Sequence, residues 1–307
     1  MAGPAGHHHH RIPVPQPTAG EVMRRSRDVG ESIIRPHLSI PGRVLLLLLA
    51  LFGLLPVYWL TATAFTKKED VFSLDRPFFP VDPTFENFIG FFQNDLLLKN
   101  LLNSIIVSTG TALLAVLVGG LMAYSLSKFR YRGRNAVMFM FLIGQLIPGA
   151  LLLISLYLML SSAGLLYTYT ALIISFTTFT LPLAVFLLKG IIDALPDDII
   201  EAAKVDGLSR TGTMFRIVFP LVVPGLITAG MFAFMRGWSD LLFALTLAGP
   251  DKQTLPAGLA QAFIREGTAD WPALMAASLI TSLPLVLIFI LLQRYFVSGL
   301  AAGAVKG

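Results

Sequence analysis

The sequence predicts an all-α, polytopic membrane protein with six transmembrane helices, and three observations carry that prediction. First, 55% of the 307 residues are hydrophobic and only 13% are charged, with a mean hydropathy of +0.74. A soluble domain carries about 25% charged residues, roughly twice that share. Second, six apolar runs are each long enough to cross about 30 Å of hydrocarbon as a helix. Third, the runs lack the alternation of barrel strands, and a helix pairs its backbone groups within the segment, as lipid demands.

Residues 1–40 are rich in Pro, Gly and Arg and are expected to form a cytoplasmic, disordered tail. His7 to His10 are read there as a functionless run, and 41–307 as the transmembrane domain. Nothing in the tail resembles a cleaved signal peptide, because the first apolar run is too long. The expected spans are 44–65, 101–127, 136–160, 165–189, 224–247 and 272–296. In the second, Gly110, Gly119, Gly120 and Ala123 are small residues that let helices approach where lipid gives no hydrophobic drive. The third holds Gln145, Pro148 and Gly149 at mid-depth, where the proline bends the helix and the Gln145 amide needs a partner. The fourth carries Ser175, Thr177, Thr178 and Thr180 before Pro182, hydroxyls that can bond to their own helix. The sixth runs through Pro284 to Arg294.

Between the spans, Lys and Arg are unevenly shared. Sixteen fall on the side holding both termini and residues 128–134 and 189–216, and six on the other side, in 66–100 and 248–271. That asymmetry places both termini and the loop at about 190–221 in the cytoplasm. The outer loop 66–100 mixes charges with Phe78, Phe79, Phe85, Phe88, Phe91 and Phe92, a composition suited to the interface and read as structural. The second outer loop, 248–271, has turn chemistry at Gly249, Pro250 and Asp251.

The cytoplasmic loop is the most distinctive stretch. Pro196 suits a first helical turn, and Asp197, Asp198 and Glu201 place negative charge near its positive end. Ile199, Ile200 and Ala203 share one face. Gly207 stands where a left-handed C-terminal turn is wanted. Met214, Phe215 and Val218 then restart an apolar face until Pro220 stops it.

The fifth span carries a second candidate site. Arg236, Trp238, Ser239 and Asp240 lie about thirteen residues in, roughly 20 Å deep. Charges there are costly and face a bundle interior or a wet cavity. Arg236 and Asp240, one turn apart, can simply pair; alternatively, an aromatic ring beside a carboxylate suits a polyol.

Glu201, Ala202 and Ala203, then Asp206 and Gly207, then Ile217 and Pro220, have the spacing of a known signature. The stretch resembles the EAA loop of bacterial ABC importer permeases, nearest to the MalG-type carbohydrate importers, with Phe219 where leucine is usual. Trp238 to Leu241 resembles the Trp-Asn-Asp-Phe wording of sugar permeases, with Ser239 and Leu241 as departures. Residues 80–88 and 299–307 also resemble segments of that family, and the likeness covers about 43–307. It implies a type I importer fold in the bacterial inner membrane. It implies that 201–220 docks on an ATPase, with a second permease, two ATPase subunits and an extracytoplasmic solute-binding protein as partners. Gln145, Arg236, Trp238, Ser239 and Asp240 would then line a substrate path for an oligosaccharide or related sugar.

The remaining chemistry points away from catalysis. No Gly is followed directly by Lys, so a phosphate-binding loop is lacking, and ATP with its Mg would sit on a partner. With no cysteine, and with His37 the single histidine outside the run, no metal-ligand or nucleophile–base constellation is expected. Basic residues flank spans rather than forming a nucleic-acid patch. The alternative reading is an ion-coupled secondary transporter, which would need two related halves with broken helices.

Overall fold

The computed structural model describes residues 40–73, 78–79, 82–265 and 268–304, without the side chains of 265, 268, 294 and 296–304. The expected 1–40 tail and the ending at 305–307 therefore lie almost wholly outside the described residues. The chain divides into two units, 1–57 and 58–307. The first is represented by the opening turns of α1 (Ile40–Ala64), whose leucines from Leu45 to Leu55 are exposed, as on a lipid-facing span.

Within the second unit the helices follow in order as α2 (Glu86–Phe92), α3 (Asp95–Lys128), α4 (Arg134–Gly144), α5 (Gly149–Ser162) and α6 (Tyr169–Asp193). Next come α7 (Asp197–Val205), α8 (Arg210–Thr213), α9 (Val223–Ser239), α10 (Leu242–Leu247), α11 (Leu255–Phe263) and α12 (Trp271–Ala304). A two-residue antiparallel pairing, Ile264–Arg265 with Thr268–Ala269, precedes α12. Four helices are long and apolar enough to cross a membrane, or up to six if each bent pair is one span.

α3 and α6 form the most extensive helix pair, with α9 packed on both. The small residues explain the approach. A side chain at Gly119 would meet the Ala184 Cβ at 3.1 Å, and one at Gly110 would run into Ile173. The starts of α3 and α6 are sequence-encoded: Asn94 Oδ1 accepts from the Leu96 and Leu97 N–H groups, and Thr168 Oγ1 from Ala171. Such caps satisfy first-turn donors that have no partner within the helix.

Several expected boundaries move. The third span is not one bent helix: α4 and α5 diverge by 106° around Gln145–Pro148. Pro148 has an extended backbone, φ −57° and ψ 123°, so the chain leaves the helix there instead of bending through it. The fifth span also breaks, at Asp240 and Leu241, where Asp240 turns extended at φ −77°, ψ 130°. The fourth span starts at Tyr169, because 165–168 form a turn that includes Tyr167 at φ 63°.

Part of the aromatic outer loop closes on the end of α1. Asn87 Nδ2 donates to the Ala64 and Thr66 carbonyls at 2.8 and 3.0 Å, closing the C-terminal end of α1. Phe65 packs against Phe85 and Phe88. Opposite it, Asn103 on α3 donates to the Asp251 and Gln253 carbonyls and accepts from the Tyr169 hydroxyl. The second outer loop is thereby pinned to α3.

Candidate functional site

Two constellations emerge, one at the 190–221 loop and one where the broken spans meet. The loop is a helical hairpin. Its first helix, α7, buries Ile200 and Ala203 and leaves Ile199 half-buried. Its end is a Schellman turn: the Leu208 N–H reaches the Ala203 carbonyl and the Gly207 N–H the Lys204 carbonyl, each at 3.0 Å. Gly207 sits at φ +81°, the left-handed conformation that disfavours a side chain. Ser209 then caps α8, its Oγ accepting from Gly212 at 3.1 Å.

The second helix departs from expectation. Met214 and Val218 are buried, but Phe215 is exposed, and the helix does not stop at Pro220. It widens into a π turn over Met214–Val218, in which the Phe219 N–H reaches back to the Met214 carbonyl. A proline ring clashes with the carbonyl four residues before it in a regular helix, and a widened turn just upstream relieves that clash. The helix continues to Leu221, then turns through 83° into α9.

The hairpin is bolted to the bundle by contacts that the sequence does not show. Lys128, at the end of α3, donates to the Leu195 carbonyl at 2.9 Å and to Asp197 Oδ1 at 2.7 Å. Ser127 Oγ donates to Asp193 Oδ1, and Lys189 pairs with Asp193 at 2.6 Å. Arg210 stacks over Phe129 at 5.2 Å. The Lys128 ammonium holds the Asp197 carboxyl below its ordinary range. Beneath, Ile200, Met214 and Val218 join Ala123, Tyr124, Leu188 and Ile192 in one apolar cluster. Outward, Glu201, Ala202, Asp206, Gly207 and Val205 (88% exposed) form an uncovered face. Ile217 is half-buried and Pro220 exposed. Ala203 belongs to the packing, not to that face.

At the second constellation the start of α5 and the end of α9 approach the same two rings, Phe179 and Phe243. Gln145 Nε2 donates to the Phe179 carbonyl at 3.1 Å, in the turn before Pro182. Arg236 pairs with Asp240 at 3.1 Å and lies 5.8 and 5.7 Å from the Phe179 and Phe243 ring centres. Asp240 Oδ1 accepts the Phe243 N–H at 2.8 Å, so the same carboxylate caps α10. A side chain at Gly149 would meet both rings, which keeps the start of α5 close to them.

Trp238 is not part of this group. It is 1% exposed, stacked on Phe234, and its Nε1–H donates to the Thr281 carbonyl on α12 at 3.2 Å. Gly237 beside it packs against Ser108 of α3. The ring is therefore a packing element between α9 and α12, which corrects the expectation of an open stacking face. Ser239 is exposed, its hydroxyl donating to the Met235 carbonyl. Ser175, Thr178 and Thr180 likewise donate to carbonyls of their own helix.

Helices long and apolar enough to cross a membrane, with a structured polar hairpin tied to the central pair, mark an integral-membrane protein. The chain belongs to the family described as the binding-protein-dependent transport system inner membrane component, whose profile matches residues 115–301. It is 38% identical to the inner membrane ABC transporter permease protein YcjP of Escherichia coli, over 87% of this chain and 95% of that protein. It is 34% identical to the diacetylchitobiose uptake system permease protein DasC of Streptomyces coelicolor, over 82% and 91% of the two chains. With the trehalose/maltose transport system permease protein MalG of Thermococcus litoralis it shares 32%, over 90% and 99%. The fold is that of a chain in a bacterial ABC transporter involved in the import of the acidic polysaccharide alginate. That likeness has a TM-score of 0.73 at 19% identity, covering 92% of this chain and 100% of the other.

Proposed function

We propose that this chain is the translocating subunit of an ATP-driven importer for an oligosaccharide or related sugar, and that 201–220 is its coupling element. The observation that carries the reading is the hairpin's two-sidedness. Ile200, Ala203, Met214 and Val218 are fixed in the bundle, while Ala202, Val205, Asp206 and Gly207 stay uncovered. Such a part transmits force when something grips the outer face.

ATP and Mg then belong to two partner ATPase subunits, a second permease completes the path, and an extracytoplasmic binding protein delivers the sugar. The Lys and Arg asymmetry supports cytoplasmic termini. The relatives' named substrates support a sugar. Gln145, Arg236 and Asp240, with Ser239 beside them, remain the residues we assign to the path, and Trp238 becomes their support.

The test is uptake by the reconstituted complex. Transport should require ATP and persist when ion gradients are collapsed. Gly207→Trp should abolish ATPase co-purification while membrane insertion is retained, because the ring projects from the uncovered face and any side chain strains the left-handed turn that shapes it. Gradient-driven uptake without ATP would overturn the reading in favour of a secondary transporter.

A further inference from the structure

Beside the hairpin, two clefts share one residue. The first is an apolar bowl of about 430 Å³ between the start of α4 and the end of α6, walled by Met138, Phe139, Leu142 and Phe186, with Arg134 at its rim. The second, about 330 Å³, is polar and lies between the 128–134 segment and α7, lined by Arg130, Arg134, Lys204 and Glu201. Glu201 is the one carboxylate lining the second cleft with no ion pair among the described residues, while two of the other cations at these rims are paired, Lys128 with Asp197 and Lys189 with Asp193. Arg134 is different. It is half-buried, has no carboxylate within ion-pair reach among the described residues, and donates only a long 3.4 Å bond to the Phe129 carbonyl. Arg130 and Lys204 are likewise free of ion pairs there.

A half-buried guanidinium without a counter-charge, standing between a greasy bowl and a basic cleft, lacks an anion with an apolar tail. We propose that an anionic phospholipid binds here, its acyl chain in the α4–α6 bowl and its phosphate on Arg134, flanked by Arg130 and Lys204. Arginine meets phosphate oxygens with two parallel N–H donors, and basic pockets between spans on the cytoplasmic side take anionic headgroups. The lipid would wedge α4 against α6 next to the anchored hairpin. The inference takes only its sidedness from the proposed function, and lipid retention is measured without uptake, so either can fail alone.

The experiment is native mass spectrometry of the assembled transporter, titrated with phosphatidylglycerol or with phosphatidylcholine of the same acyl chains. Phosphatidylglycerol should be retained at least about fivefold better, the size expected for one basic contact at a membrane surface. Arg134→Gln should remove that preference and Arg134→Lys should keep most of it. Leu142→Trp, which fills the bowl, should lower retention of phosphatidylglycerol with Arg134 intact. Glycerol 3-phosphate should not compete. Equal retention of the two lipids, or a preference that survives Arg134→Gln, overturns the proposal. Displacement by glycerol 3-phosphate, which would mark a site for a free phosphate, overturns it too, as does a cross-link placing a partner polypeptide in the bowl. If Arg134→Gln does not assemble, Leu142→Trp decides alone, and unchanged phosphatidylglycerol retention refutes the site.

Discussion

Trp238 and Asp240 stand two positions apart yet do different work. A helix at 3.6 residues per turn turns them toward different neighbours: Trp238 into the α9–α12 contact, Asp240 across the chain break to Arg236 and Phe243. The sequence placed both in one polar group because their residue types fit a sugar, and residue type does not report facing. Trp238→Ala should therefore act as a core truncation, costing about 3–5 kcal/mol. Trp238→Phe keeps one aromatic ring against Phe234 but gives up the rest of the indole and one hydrogen bond, so it should cost less, about 1–3 kcal/mol. Thermal unfolding of the detergent-solubilised complex checks this, with uptake by Trp238→Phe near wild type. A normal melting temperature for Trp238→Ala with lost sugar uptake would put the ring back in the path.

At the scale of elements, the hairpin is only as rigid as its bolts. Lys128 binds both the Leu195 carbonyl, between α6 and α7, and a carboxylate in the first turn of α7, so it ties the end of α3 to the α6–α7 junction. Lys128→Met should preserve the bulk of the stem while releasing both bonds. We expect ATPase binding to survive and ATP turnover to uncouple from uptake, measured as transported sugar per ATP hydrolysed. The ion pair also sets a pH dependence. The Asp197 carboxyl is held below its ordinary 3.8, so its stabilisation is fully present above that value and is lost only as pH falls through the lower folded value. Acidification to about pH 5 should leave the anchor intact, which hydrogen exchange across 195–208 would verify. Increased exchange at that pH would show that the pair does not hold the hairpin.

Across the whole molecule, the parts legible in the sequence were those written in local periodicity and punctuation. Six apolar runs, the Gly207 turn and the small-residue face of α3 needed only spacing to be found. The spans' breaks were partly legible: Pro148 announced a disturbance, but a 106° departure depends on Gln145 finding a carbonyl thirty-four residues away. No proline marks the break at Asp240; an aspartate capping a short helix does so, and that reads in sequence as an ion-pair candidate. The anchors were not legible at all, because Lys128 and Asp197 meet only after α6 has returned the chain to the end of α3. Phe179 and Phe243 were missed for the same reason, being ordinary apolar residues until folding sets them beside Arg236.

The chain contains no cysteine, so one introduced at Val205, the most exposed large apolar residue of the hairpin, reports alone. In the assembled transporter, Val205→Cys should form a short-span cross-link to the ATPase subunit and resist an impermeant maleimide applied from outside the cell. Labelling from outside, with no ATPase adduct, would contradict the account.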